Sequence, residues 1–157
     1  MGKQAQSEIR RASESDATAI AQLLHDFNTE YEEPTPGVPT LTKRIRELLA
    51  NGEITVLLAD DPPLGLALFR TRPSLWSTAA DVYLEELYVI PERRGQGIGG
   101  ALLDTAIKAA REMGANHFEL TTGETDTAAR ALYESRSFTN GEGATNGPRM
   151  LYYELDL

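Results

Sequence analysis

Two neighbouring stretches carry residue types that could do chemistry. One is Glu85-Glu86, set in an otherwise apolar and aromatic run from Tyr83 to Ile90. The other is Arg93-Arg94-Gly95-Gln96-Gly97-Ile98-Gly99-Gly100, which follows Pro91-Glu92. Glycines at 95, 97 and 99 leave the backbone bare just before a helical repeat. Bare N–H groups at a helix N-terminus, at the positive end of its dipole, attract an anion. Two arginines add positive charge. The natural guest of such a turn is a phosphate or pyrophosphate. The same letters also satisfy GxGxxG, the nucleotide-binding fingerprint of the Rossmann fold, which alone is a weak signal.

The elements around these residues must position them. Tyr83 to Ile90 reads as a strand from its β-branched and aromatic content. Pro91 lacks an N–H and cannot continue a ladder. Alternation along a strand puts Glu85 and Glu86 on opposite faces, Glu86 with Leu84 and Tyr88, Glu85 with Tyr83, Leu87 and Val89. From Ile98 to Met113 apolar residues fall at helical spacing, and Gly114 is the expected terminator. His117 to Thr122 reads as a further strand, Asp126 to Glu134 as a helix, Asn140 to Pro148 as a loop and Arg149 to Leu157 as a last strand.

Upstream, residues 1–7 read as a loose tail and Ile9 to Ala12 as a short strand. Ser13, Ser15 and Asp16 are cap-type residues before a helical repeat at Ala17, Ile20, Ala21, Leu24 and Phe27. Asn28 to Pro39 reads as a loop long enough to suspect function. Thr40 is a cap for a second helix through Leu49, ended by Asn51-Gly52. Ile54 to Ala59 is a continuous apolar run, read as a buried strand. A turn at Asp60 to Pro63 and a strand from Leu64 to Arg70 complete an antiparallel hairpin. Thr71 to Ala80 reads as a looser connection.

The chain has 157 residues, 41% of them hydrophobic and 25% charged, which fits one soluble domain over 1–157. It contains no cysteine and two histidines, so no disulfide framework, thiol nucleophile or metal site is expected. A net charge of −9 argues against nucleic acid or an anionic membrane as main partner. No run approaches the ~18 apolar residues of a membrane span. The first residues lack an apolar signal core, so the expected location is the cytoplasm.

Arg94-x-x-Gly97-x-Gly99 resembles the Gln/Arg-x-x-Gly-x-Gly/Ala segment of the GCN5-related N-acetyltransferases, the GNAT family. A second stretch is similar to that family's Asn-x-x-Ala-x-x-Leu-Tyr-x-x-x-Gly-Phe. Here Ala129, Leu132, Tyr133 and Phe138 match in register, while Asp126 stands for Asn and Ser137 for Gly. A carboxylate at 126 accepts but cannot donate, which bears on a hydrogen bond to pantetheine. Glu119 lies ~20 residues beyond the glycines, where a Rossmann fingerprint asks for an acid. The chain length and element order weigh against that fold.

The resemblance implies an α/β (α+β) acyl-CoA N-acyltransferase fold, with a central mixed, mostly antiparallel sheet flanked by helices. It implies an N-acetyltransferase that moves acetyl from acetyl-CoA to a primary amine by direct attack, without a metal. Arg94, Gly95, Gln96, Gly97, Ile98 and Gly99 would hold the pyrophosphate. The strand backbone at Leu87, Tyr88 and Val89, with Asp126 and Ala129, would meet the acyl-pantetheine arm. Glu85 or Glu86 would be the base, with Glu85 slightly ahead by alignment, and Tyr133 the acid that protonates the thiolate.

Trp76 and Tyr88 are candidates for an acceptor pocket or for core. His25 and His117 read as structural or solvated. The acids Asp26, Glu30, Glu32 and Glu33 would suit a cationic small-molecule or peptide amine, or simply form a solvated face. A homodimer is a habit of the family. The rival function is a non-catalytic acyl-CoA-binding sensor of the same fold.

Overall fold

A computed structural model describes residues 6–157. Part of the expected tail, residues 1–5, lies outside the described residues. The chain divides into two compact units, residues 1–120 and 121–157.

The first unit is built on five strands in sequence order: β1 (Ile9–Arg11), β2 (Thr55–Ala59), β3 (Gly65–Pro73), β4 (Ala80–Val89) and β5 (Ala115–Leu120). The first four pair antiparallel and β4 pairs parallel with β5. The sheet is thus mixed and mostly antiparallel, as the resemblance implied. Three helices join it: α1 (Ala17–Glu30), α2 (Val38–Ala50) and α3 (Ile98–Glu112).

Period two along β2 and β3 sorts the core onto two faces. Val56, Leu58, Leu66, Leu68 and Tyr88 pack with Ile20, Ala21 and Leu23 of α1 and Ile45 and Leu48 of α2. Their strand neighbours Leu57, Ala67, Phe69, Val82 and Leu84 lie outside that cluster and are also buried. The buried stripe of α3, Leu102, Leu103, Ala106 and Ala110, belongs to this second layer.

Boundaries differ from the sequence reading in several places, β5 among them, which spans Ala115–Leu120 rather than His117–Thr122. Helix α1 continues through Asn28, Thr29 and Glu30, and α2 begins at Val38 with Pro39 in its first turn, where a missing N–H costs nothing. The loop between them is therefore only residues 31–37. The β3–β4 hairpin also absorbs Thr71, Arg72, Pro73 and Ala80 of the supposed loose connection, so that 74–79 remain as its tip. Trp76 sits on that tip, 91% exposed, and is not part of the core.

The start of α1 is fastened to β1. The Asp16 carboxylate accepts the Ser13 N–H at 2.8 Å and a two-pronged bond from Arg10 at 2.8 and 3.0 Å. The Arg10 guanidinium holds the Asp16 carboxyl down at about 2, against the cost of burying it.

The second unit contains α4 (Thr127–Glu134), whose N-cap Asp126 accepts the Ala129 N–H at 3.2 Å. Arg149 pairs with the Glu124 carboxylate and forms an isolated bridge with Gly141. The expected last strand does not form: residues 150–157 lie in no strand. Their sequence has strand propensity, but a strand exists only when its backbone finds a ladder partner, and here the pairing is a single bridge, Gly141 with Arg149, closed by Met150 N–H to Asn140 O at 2.8 Å.

Candidate active site

Strand β4 is where the chemistry-bearing residues gather, and a β-bulge arranges them. Leu68 pairs with Glu86, but the next residue, Phe69, pairs with Leu84, so Glu85 is the extra residue. Alternation restarts across it. Because Leu68 and Arg70 share a face, their partners Glu86 and Tyr83 share it too, while Leu84 faces the α3 side opposite Phe69. The Glu85 carboxylate is held by Arg70 Nε at 2.5 Å and so reaches this same face. The expectation that Glu85 and Glu86 point to opposite faces is overturned: both belong to the face covered by α1 and α2. Strict alternation fails wherever one strand carries an extra residue.

The two acids have different settings. Glu85 is exposed and ion-paired. Glu86 is half-buried and makes no hydrogen bond or ion pair among the described residues. Burial, with the Glu85 charge beside it, pushes the Glu86 carboxyl up to about 7. A carboxyl poised there can take a proton at neutral pH.

The second feature is a strand edge without a ladder partner. β5 pairs with β4 only as far as Leu84↔Leu120. Beyond that point Glu86 to Val89 are paired to β3 alone. The strand stretch that holds Leu87, Tyr88 and Val89 thus makes ladder pairs on one edge only, among the described residues.

The third feature follows directly. Pro91–Arg93 form a single 3-10 turn, and Gly95 (φ 72°) and Gly97 (φ 84°) turn the chain into α3. Positive φ at both is the reason for glycine, since a side chain strains there. No atom lies within 4 Å of where a Cβ would stand at either, so this backbone borders open space. Gly97 is the N-cap of α3, and Ala101 N–H, bonded to Gly97 O at 3.0 Å, is the first to find an intrahelical partner. The N–H groups of Ile98, Gly99 and Gly100 precede it and have no intrahelical acceptor.

Arg94 is placed differently from Arg93. Its Nε–H donates to Val89 O at 2.9 Å, and its two terminal nitrogens donate to both oxygens of Glu30 at 2.6 and 2.7 Å. The guanidinium carbon stands 5.5 Å from the centre of the Tyr88 ring, whose far neighbour is Phe27, stacked at 4.8 Å. The Tyr88 hydroxyl is bonded to Glu30, and burial with that charge pushes the phenol up to about 12. Arg93 is exposed and makes no ion pair among the described residues.

In the second unit, Tyr133 packs edge-on against Phe138, with ring centres 5.9 Å apart. Burial, then the Asp126 charge, pushes the Tyr133 phenol up to about 12, so it is a protonated donor at neutral pH. The Asp126 carboxylate is occupied as the cap of α4. His25 Nδ1 bonds Thr35 Oγ1 at 3.1 Å, a structural role. His117 is exposed beside Glu119. Among the described residues no group of three or more His, Cys, Asp or Glu could hold a metal ion, and no helix is long and apolar enough to cross a membrane.

A model described as the acetyltransferase (GNAT) family matches residues 18–138. The chain belongs to the GNAT family. The N-acetyltransferase YhfO of Bacillus subtilis (strain 168), itself uncharacterised, is 30% identical over 137 residues, 86% of this chain and 91% of that one. The thialysine N-epsilon-acetyltransferase of Sus scrofa is 29% identical over 150 residues, 86% of this chain and 87% of the relative. A crystal structure from Arthrobacter sp. FB24, assigned as an acetyltransferase, is 44% identical, covers all of both chains and superposes with a TM-score of 0.89.

Two features of this GNAT site were not read from the sequence. The bulge at Glu85 leaves only a faint trace there, two successive acids in an apolar strand. The Glu30–Arg94 pair joins residues 64 apart in the chain, and nothing local announces it.

Proposed function

We propose that the protein transfers the acetyl group of acetyl-CoA to a primary amine in a ternary complex, with Glu86 as base. The observation that carries this reading is the half-buried, unpaired Glu86 carboxylate, raised to about 7, on the strand whose ladder-free edge leads to the Gly95–Gly99 turn. The bare N–H groups of residues 95–99 take the pyrophosphate as substrate anion. The ladder-free edge at Leu87, Tyr88 and Val89 pairs with the amides of pantetheine. A backbone N–H there offers a donor to the oxyanion.

Glu86 accepts the proton of the incoming ammonium, directly or through one water, so that the neutral amine can attack the thioester carbon. The C–N bond forms, the tetrahedral oxyanion collapses and the C–S bond breaks, while the nitrogen gives up its second proton, which replaces on the Tyr133 oxygen the proton passed to the leaving thiolate. Tyr133, assigned from its place in the second motif, supplies the proton that leaves the product as free CoA thiol. We favour Glu86 as base over Glu85, which is slightly ahead by alignment, because Glu86 is half-buried and unpaired. Glu85 is ion-paired to Arg70, and its charge keeps Glu86 basic.

The acceptor class is a cationic small-molecule amine, in line with the thialysine acetyltransferases among its relatives and with the acids Asp26, Glu32 and Glu33 near the end of α1. With a net charge of −9 and no helix that could cross a membrane among the described residues, we place the enzyme in the cytoplasm.

The test is free-thiol release from acetyl-CoA over a panel of thialysine, lysine, polyamines and aminoglycosides. At least one amine should give turnover that Glu86→Gln lowers by 100-fold or more, the usual weight of a general base being about 10²–10⁴. Turnover unchanged in the variant removes Glu86 from the mechanism. Acetyl-CoA binding with no turnover on any amine would favour the sensor reading.

A further inference from the structure

Arg94 stands at the head of the glycine motif, yet its side chain is committed elsewhere. We propose that Arg94 and Glu30 form a positioning pair that fixes the acceptor side of the enzyme, and that the acyl-CoA anion is left to the backbone of residues 95–99 and to Arg93. This rests on the acyl-CoA reading above.

A guanidinium offers five N–H donors in a fixed plane. Here three of them are bound within 2.9 Å, two in a bidentate grip on one carboxylate, which is the strongest geometry for such a pair. One face lies over Tyr88. To reach a phosphate the side chain would abandon Glu30, whose carboxyl the Arg94 bonds hold below its ordinary value. Arg93 faces no such loss.

What the pair fixes is visible from its partners. Glu30 is the last residue of α1, and α1 with α2 covers the sheet face that carries Glu86. The loop that follows, residues 31–37, is strapped back onto α1 by Asn28 Nδ2 to Pro34 O at 2.7 Å and by His25 to Thr35 at 3.1 Å. Helix end and loop therefore move together. The Arg94 bond to Val89 O ties both to the end of β4, where the glycine turn begins. The pair sets the distance between the helix that covers Glu86 and the strand that carries it.

The test compares Arg94→Gln, Arg94→Lys and Glu30→Gln with Arg93→Gln. Amide hydrogen exchange over residues 28–37 should speed up about tenfold in the first three, as expected when a local tether worth about 1–2 kcal/mol is cut. Their CoA dissociation constants, by calorimetry, should stay within about twofold of the parent. The apparent KM for the amine should rise while that for acetyl-CoA holds. Lysine should not rescue, because a point charge cannot make the two-pronged grip and the Val89 bond together. Arg93→Gln should do the opposite, weakening CoA with exchange unchanged.

A CoA affinity that falls tenfold in Arg94→Gln and returns in Arg94→Lys would make Arg94 an anion ligand and overturn the proposal. So would tighter CoA binding in Glu30→Gln, which would mean that Glu30 competes with the anion for Arg94. Unchanged exchange in all three variants would overturn it as well. Should the parent bind no CoA, the acyl-CoA reading fails, and the exchange data still decide whether the pair holds α1.

Discussion

Glu86→Gln should make the protein more stable at pH 8 while removing its activity. The folded state raises this carboxyl from 4.5 to about 7. Between those values the folded chain binds a proton that the unfolded chain has released, so stability falls as pH rises through this window. At ~1.4 kcal/mol per pH unit the full span is about 3 kcal/mol. Partial exposure and water around the carboxylate reduce this, and about 1–2 kcal/mol is the expected gain from the amide. The assay is urea unfolding of parent and variant at pH 5 and pH 8. The two should differ little at pH 5 and by that amount at pH 8, with m unchanged. Equal stabilities at both pH values would refute the raised pKa. A variant less stable at pH 8 would mean that the carboxylate has a partner.

Glu85→Gln removes the neighbouring charge and frees Arg70, so the acid limb of kcat/KM should move to lower pH; a limb that stays put would separate Glu85 from Glu86. Tyr133→Phe should lower kcat by about 10- to 100-fold and leave acetyl-CoA affinity nearly unchanged, which equilibrium binding and turnover measured side by side would check. Gly97→Ala, at φ 84°, should cost about 1 kcal/mol in unfolding experiments through backbone strain alone, and should weaken CoA severalfold by shifting the N–H groups. Asp16→Asn should cost about 1 kcal/mol at pH 7. That difference holds above the ordinary aspartate value and disappears as pH falls through about 2, since the folded carboxyl is depressed.

The elements of the first unit were legible because their signals are local. The apolar run at 54–59, the stop at Pro91, the glycines at 95–99 and the helical stripe behind them each depend on a few adjacent residues. Motif order then specified the family. The errors arose where a local signal was answered from a distance. Thr29 and Glu30 look like loop residues until Arg94 holds Glu30. The acids of β4 alternate on paper until pairing with β3 expels Glu85 from register. Residues 150–157 read as a strand by composition, yet strand formation depends on a partner backbone that composition does not encode.

The central claim is that the strand edge and the glycine turn hold an acyl-CoA. Calorimetric titration with acetyl-CoA, beside NADH as a control, addresses it whatever the acceptor amine is. The account predicts one acetyl-CoA per chain, displaced by CoA, with no heat from NADH at the same concentrations. Binding of NADH with none of acetyl-CoA would contradict it and return the glycines to a dinucleotide.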